Sequence, residues 1–269
     1  MFRLTTRLPD TRLRAYIKMY FGSSDDNAPS VQRIVPNGEM GICFYRGNEV
    51  TYDGVGRIRS CLSGQSMSYQ DIVSDGRIDI VGAHFTTLGA ALFFNAPLHS
   101  LFGTSTPLTA LGDDEVDRLE EQIMEAEDYE LSFDLMDRFF LKRIGQKDVD
   151  VMNLRRLQRA IAYGQRHTAE AHIDDIASEA CLSQRHFNRL FTETAGLSPK
   201  EYLRLQRYHK ALADLKANKG CATMSEIAWR NGYCDLSHMS ADFRKISGYT
   251  PSVLLEKSEN ENDDFGWRI

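Results

Sequence analysis

Four polar side chains in the run QRHFNRLF, Gln184, Arg185, Asn188 and Arg189, fall on one face of a helix, while Phe187, Leu190 and Phe191 take the other. The chemistry open to such a set is the reading of base edges. An arginine fork fits the two acceptors of guanine, and a side-chain amide fits the acceptor and donor of adenine. Gln184, Arg185 and Asn188 are the base-reading candidates, and Arg189 could read a base or hold a phosphate. His186 is open to a backbone contact or to a half-buried packing role. The competing reading of all five is an ordinary solvated helix face.

Such a face needs elements that aim it. Just upstream, Ile173, Ile176 and Ala177 repeat at helical spacing, with Asp174 where a helix N-cap is expected. Ser183 opens the second helix, its hydroxyl available to the first unpaired backbone N–H groups. Two helices meeting at a tight turn over residues 180–182 make a helix-turn-helix, whose second helix would enter a major groove. The organisation then repeats. In residues 224–251, Ile227 and Ala228 answer Ile176 and Ala177, Gly232 and Tyr233 answer Cys181 and Leu182, and Phe243 answers Phe191, offset by 51 residues before the turn and 52 after it. A long helix over residues 201–217 joins the units, with Tyr202, Leu205, Leu212 and Leu215 for the core and Arg204, Arg207 and Lys210 mostly exposed; a helix over residues 154–165 precedes them. Paired units of this kind could place two recognition helices in successive major grooves, about 34 Å apart.

The second recognition helix is the less polar one. Spacing gives it Leu236, Ser237, Ser240 and Ala241 as the groove-facing set. Leu236 offers only apolar contact, and Asp242 would repel phosphate unless it accepts from cytosine or faces Arg244. The first unit is therefore expected to carry most of the sequence information, and the second to anchor through Ser237, His238, Arg244 and Lys245. The helix starts at Pro199 and Pro251 offer backbone N–H groups to phosphate, or serve only as first-turn prolines.

Charge follows the same division. Residues 1–150 carry 15 Lys and Arg against 23 Asp and Glu, residues 151–257 carry 16 against 11, and the last twelve carry 1 against 4, so a modestly basic segment lies between acidic ones. From Ser30 to Phe85 the runs VQRIV, MGICFY, EVTY and RIDIVGAHF are separated by Asn37-Gly38, Gly47-Asn48, Asp53-Gly54 and Asp75-Gly76, the punctuation antiparallel hairpins need. A small β-barrel or sandwich closes such a set. Its interior is the expected ligand pocket, with Phe44, Tyr45, Tyr52 and Phe85 as candidate lining, although one inward face of every strand packs a core anyway. A short helix is expected over residues 88–94. Two amphipathic helices follow, over residues 113–125 after Gly112 and over residues 132–144, which could form a homodimer seam or pack on their own barrel.

Enzymatic motifs are absent: there is no GxSxG, phosphate loop or Cys/His nucleophile pattern, so an enzyme is not expected and no cofactor is implied. His84 and His99 form no HxH pair, and no metal site is expected. The five cysteines, Cys43, Cys61, Cys181, Cys221 and Cys234, are odd in number and far apart in sequence; buried thiols are the expectation, with redox sensing at the Cys181 and Cys234 turns as the alternative. No apolar run approaches the roughly 18 residues of a membrane span, and the N-terminus lacks a secretory h-region, so a cytoplasmic protein is expected.

The tandem units, the connecting helix and the two ends Gly196-Leu197-Ser198-Pro199 and Gly248-Tyr249-Thr250-Pro251 together resemble, over about residues 153–255, the DNA-binding module of the AraC/XylS transcription regulators. The amino-terminal half resembles, less specifically, the β-rich sensor domains that precede that module and bind an effector or mediate dimerisation. Where members of the family commonly carry an arginine this chain has Ala241. The resemblance implies an α+β chain: a β-rich, cupin-like effector or dimerisation domain over residues 1–146, a linker over 147–152, the tandem helix-turn-helix domain over 153–257, and an acidic tail over 258–269. The partners implied are double-stranded DNA, a small-molecule effector, a second copy of the chain and, for an activator, RNA polymerase, with no membrane. The alternative is an effector- or protein-binding module whose helical half is an interaction surface and no longer reads DNA specifically, an idea prompted by Leu236, Ala241 and Asp242.

Overall fold

Every residue of the strand Gly41–Tyr45 is buried, yet alternate side chains enter two separate apolar clusters, Ile42 and Phe44 in one and Cys43 and Tyr45 in the other. The computed structural model, which describes residues 3–26, 30–52, 56–146, 150–218 and 221–260, shows why. Ten strands, β1 (Arg3–Arg7), β2 (Ile17–Asp25), β3 (Ser30–Ile34), β4 (Gly41–Tyr45), β5 (Val50–Tyr52), β6 (Gly56–Ile58), β7 (Ser60–Ser63), β8 (Gln70–Ser74), β9 (Ile78–Phe85) and β10 (Ser105–Pro107), form two sheets. The larger has the order β1-β2-β9-β4-β7-β10 and the smaller β3-β8-β5-β6, with antiparallel pairing throughout. One cluster takes side chains from both sheets, among them Phe21, Cys43, Tyr52, Cys61, Ile72 and Ile80. The other takes the opposite face of the larger sheet, including Tyr20, Phe44, Val81 and Phe85.

That opposite face is covered by α1 (Asp114–Glu125), α2 (Tyr129–Arg143) and the 3-10 turns Gly89–Leu92 and Leu98–Leu101. Phe85 meets the rings of Phe93, Phe94 and Phe140 with centroids 5.5 to 5.8 Å apart. Each such buried ring contributes on the order of 2 to 3 kcal/mol. Asp113 caps α1 as expected, accepting from the backbone N–H groups of Glu115 and Val116. By contrast α2 starts at Tyr129, three residues earlier than its apolar stripe suggests, because Asp128 supplies the cap by accepting from Leu131 N. Instead of a helix over 88–94 there is only the 3-10 turn Gly89–Leu92.

The strands β1 and β2 lie upstream of the stretch that reads as β-rich. β1 is a mostly exposed edge strand and β2 is buried on both faces in its middle, so neither shows a clean alternation. The Asp53-Gly54 turn lies outside the described residues, as do 147–149 of the expected linker and 261–269 of the tail.

Seven helices follow: α3 (Val151–Arg166), α4 (Ile173–Glu179), α5 (Gln184–Ala195), α6 (Pro199–Ala217), α7 (Met224–Arg230), α8 (Leu236–Ser247) and α9 (Pro251–Asn260). Helix α3 begins at Val151, three residues before the expected start, its first turn capped by Asp150. His172, and not Asp174, precedes α4, so that Asp174 and Asp175 sit in the first turn, where they favour the positive end of the helix dipole. Ser198 with Glu201 and Thr223 with Glu226 make capping boxes at α6 and α7.

The β-rich and helical halves are packed together, and the end of each recognition helix touches the β-rich half. Gly196 after α5 and Gly248 after α8 both have φ of +82°, closing the helices in the left-handed conformation that favours glycine. A Cβ on Gly196 would stand 3.1 Å from Leu98 O, and one on Gly248 would stand 2.5 Å from Arg33 Nη1. Arg33 on β3 holds Asp71 on β8 through two hydrogen bonds of 2.7 Å, and its guanidinium lies 3.8 Å from the Tyr69 ring centre and 4.9 Å from that of Tyr249. His209 on α6 lies with Nε2 2.8 Å from Pro36 O, across the same boundary.

Gly248→Ala combines the left-handed penalty with a collision at Arg33, so it is expected to lower stability by more than about 1 kcal/mol. Gly145→Ala, where no atom lies within 4 Å of the added methyl group, should be nearly neutral, and urea midpoints compare the two. Burial, helped by the charge of Lys18, lowers the His84 pKa from 6.5 to about 4. The unfolded chain therefore binds the extra proton first as pH falls. Stability from this histidine is full above pH 6.5 and is lost towards pH 4, by about 2 kcal/mol at pH 5. Melting temperatures between pH 7 and 5 should fall less for His84→Gln than for the unaltered chain.

Candidate nucleic-acid interface

The two helical units are built alike down to the backbone of their turns. Leu182 N donates to Ala177 O and Tyr233 N to Ala228 O, both at 3.0 Å, folding each turn back on its first helix. Cys181 and Gly232 occupy equivalent places and both have positive φ, +53° and +74°. Glycine is required in the second unit, where a Cβ would stand 2.5 Å from Ala169 O. Ser183 caps α5 by accepting from His186 N, and Asp235 caps α8 by accepting from His238 N.

On α5, Phe187 and Phe191 are fully buried, and Gln184, Arg185, Asn188 and Arg189 are exposed together on the other face. His186 is half-buried. On α8, Met239, Phe243 and Ile246 turn inward, Ser237, His238, Ala241, Arg244 and Lys245 are exposed, and Leu236 and Ser240 are half-buried. The His238 ring stands edge-on to Tyr233 with centroids 5.2 Å apart, and its Nδ1 lies 3.5 Å from Cys234 N, so its orientation is partly fixed by the turn.

Asp242 corrects the sequence expectation. It does not border a groove or face Arg244: it is 2% exposed and receives hydrogen bonds from Nε of Arg204, at 2.8 Å, and from Nη2 of the same guanidinium. The spacing from Met239 to Ile246 places Asp242 on the apolar stripe, where a carboxylate persists only with a partner. Arg204 and Arg207, expected to be mostly exposed, are half-buried for the same reason. Arg207 lies 5.6 Å from the Tyr233 ring centre, so two cations of α6 serve the interior of the second unit. The α6 start is occupied by its own capping box, with Lys200 exposed beside it.

In the β-rich half, a narrow cleft of about 60 Å³ opens between the sheets, with Ile34, Pro36, Met40, Cys43, Tyr52 and His84 in its wall. Tyr52 is the one member of the expected quartet that lines it. The Tyr45 hydroxyl reaches Tyr52's by a hydrogen bond, while Phe44 and Phe85 face the helices on the far side of the sheet and line no part of it. Strand alternation is the cause: Phe44 is one residue from Cys43 and Tyr45, and Phe85 one residue from His84. Burial pushes the Tyr45 and Tyr52 hydroxyls well above their usual pKa, so both stay protonated. A second cleft, of about 510 Å³, lies at the start of α1, where Arg143 holds Asp113 and the Phe93 carbonyl.

The cysteines also differ from expectation. Cys43 and Cys61 are buried, but Cys181, Cys221 and Cys234 are exposed, including both turn cysteines expected to be covered. Among the described residues no group of three His, Cys, Asp or Glu side chains is placed to hold a metal ion, and no helix is long and apolar enough to cross a membrane.

Two capped helix pairs, each ending in a left-handed glycine and joined by one long helix, define a tandem helix-turn-helix domain behind a β-rich one. Residues 176–257 match a family model described as a helix-turn-helix domain, and residues 5–107 match one described as a domain of unknown function, DUF6597. The chain thus carries a helix-turn-helix domain towards its C-terminal end. It is 33% identical over 102 residues to the HTH-type transcriptional activator RhaS of Escherichia coli, a match that spans 38% of this chain and 36% of that protein. Among solved structures it is similar to ToxT of Vibrio cholerae (14% identity, TM-score 0.46, 95% of this chain and 98% of that one). It is also similar to the DNA-binding domain of AdpA in complex with a target DNA (23% identity, TM-score 0.36, 40% of this chain and 96% of that one).

Removing one partner of a buried ion pair leaves the other charge stranded. Asp242→Ala is expected to cost roughly 3 kcal/mol, whereas Arg204→Met combined with Asp242→Leu should recover much of that loss. Denaturation of the full chain measures both, and an equal loss in the single and double variants would contradict the pairing.

Proposed function

We propose that this chain is a sequence-specific DNA-binding transcription regulator whose β-rich half receives a small-molecule signal. The observation that carries the reading is the repeated unit with two outward polar helix faces. On α5, Gln184, Arg185, Asn188 and Arg189 stand exposed over a buried aromatic pair. In this reading α5 supplies most of the base discrimination, and Ser237, His238, Arg244 and Lys245 hold the second unit on the phosphate backbone. His186, Leu236 and Ser240, all half-buried, sit at the margins of the contact. The inward pairing of Asp242 with Arg204 supports the reading, since it takes one negative charge off the surface presented to DNA.

The signal would enter the cleft lined by Tyr52, Cys43 and His84. Its walls include Pro36, whose carbonyl accepts from α6, and Ile34 and Gln70, each next to a member of the Arg33–Asp71 pair that meets Tyr249. Occupancy would thereby be felt at the connecting helix α6 and just beyond α8. RhaS is named an activator; the same role here would add RNA polymerase as a partner, and a homodimer would align two readers on one operator.

Binding of the full chain to genomic fragments, titrated with salt, tests the reading. A steep loss of affinity with salt and a retained sequence preference are expected. Arg185→Ala should relax preference at one base pair at a cost of about 1 to 3 kcal/mol, and Lys245→Ala should weaken all sequences alike and reduce the salt slope by about one. No binding to any fragment, with or without small metabolites, would sink the proposal and leave the interaction-surface alternative.

A further inference from the structure

Cys43 on β4 and Cys61 on β7 are direct cross-strand partners. Two residues along the same ladder Tyr45 N donates to Arg59 O, so Cys43 and Cys61 occupy a hydrogen-bonded position of the pairing. Cα atoms at such positions stand about 5.5 Å apart, within the span of a disulfide. Both residues belong to the apolar cluster between the two sheets. The Cys61 sulfur also lies 3.6 Å from the Ser63 hydroxyl and 3.8 Å from that of Tyr52.

These neighbours divide the labour of a dithiol. The neighbouring Cys43 thiol, with further help from Ser63 and Tyr52, holds the Cys61 thiol below its usual pKa in spite of burial, and the Cys61 thiol together with burial raises that of Cys43. Cys61 is thus the better nucleophile and Cys43 the holder of the proton. Cys43, Ser63 and Tyr52, which lie beside Cys61, belong to the wall of the cleft, while Cys61 is fully buried behind them, so an oxidant in the cleft reaches its sulfur when that wall opens.

We infer that Cys43 and Cys61 form a redox-modification site, which a small hydroperoxide entering the cleft converts to a reversible intrachain disulfide. The Cys61 sulfur attacks the terminal oxygen of the hydroperoxide, a sulfur–oxygen bond forms and the O–O bond breaks. The departing oxygen leaves as an alcohol, or as water from hydrogen peroxide, with the proton that Cys61 gives up. The Cys43 sulfur then attacks the Cys61 sulfenic acid, the S–S bond forms and the sulfur–oxygen bond breaks, with hydroxide leaving as water on the Cys43 proton. The two thiols are oxidised by two electrons and the hydroperoxide is reduced by two. A dithiol reductant reverses the change by exchange. The crosslink would pin β4 to β7 directly behind the cleft, making the same cavity responsive to oxidation as well as to occupancy.

The test uses the reduced full chain treated with hydrogen peroxide, alkylated, digested and mapped by mass spectrometry. The expected product is a Cys43–Cys61 linked peptide within single chains, lost on treatment with dithiothreitol and absent from Cys61→Ser. Recovery of both residues as alkylated thiols while Cys181, Cys221 or Cys234 oxidises overturns the inference, as does linkage between two chains. The mapping needs only the unaltered chain, so a variant that fails to fold does not blur the result. It is read without DNA, so it stands or fails separately from the regulator reading.

Discussion

The contact on which the arrangement of this molecule depends is the seating of two helix ends on the β-rich half. Gly196 and Gly248 hold equivalent places in the repeat, and each meets a different part of the β-rich half, Leu98 and Gln65 for the first, Arg33 and Tyr69 for the second. Neither glycine could carry a side chain without strain, because both have positive φ and close neighbours. The guanidinium of Arg33 gathers a carboxylate and two aromatic rings from two separate segments, Asp71 with Tyr69 and the distant Tyr249, a geometry that suits arginine's planar, weakly hydrated head and would not suit lysine. Through these contacts the placing of the two recognition helices depends on the β-rich half as well as on the helix that joins them.

Much of the helical half was legible in the sequence because its signals are local. The spacing of Phe187 and Phe191 and the cap at Ser183 act within one or two turns of helix, and the repeat restates them in a second unit. The units recur at the offsets read from the residues, with α4 and α7 separated by 51 and α5 and α8 by 52. What escaped was decided by distant partners. Asp242 reads as a surface acid until Arg204 of α6 is brought against it, and Cys43 and Cys61 read as isolated thiols until strand register sets them face to face. The candidate ligand residues divided for a similar reason, since which face of a strand lines a cleft depends on where the second sheet lies, and only Tyr52 of the four borders it. The edge strand β1 and the doubly buried β2 carried no periodic signal to find.

Electrostatics within the helical half is more economical than its modest positive balance suggests. Two of its arginines, Arg204 and Arg207, are committed to Asp242 and Tyr233 inside the second unit. Those left outward on α5 and α8, Arg185, Arg189, Arg244 and Lys245, are the exposed cations of the recognition faces. A count of basic residues therefore overstates the charge offered to a phosphate backbone, and placement carries the information.

One apolar cluster runs without a break from Leu13 in the β-rich half to Leu254 in α9. A boundary crossed by a continuous core does not behave as a hinge between independent bodies. Two halves joined in this way are expected to open together, so that free energy added to the sheets would raise the resistance of the helices to opening. Rigidity gained in one half then needs no discrete lever to reach the other.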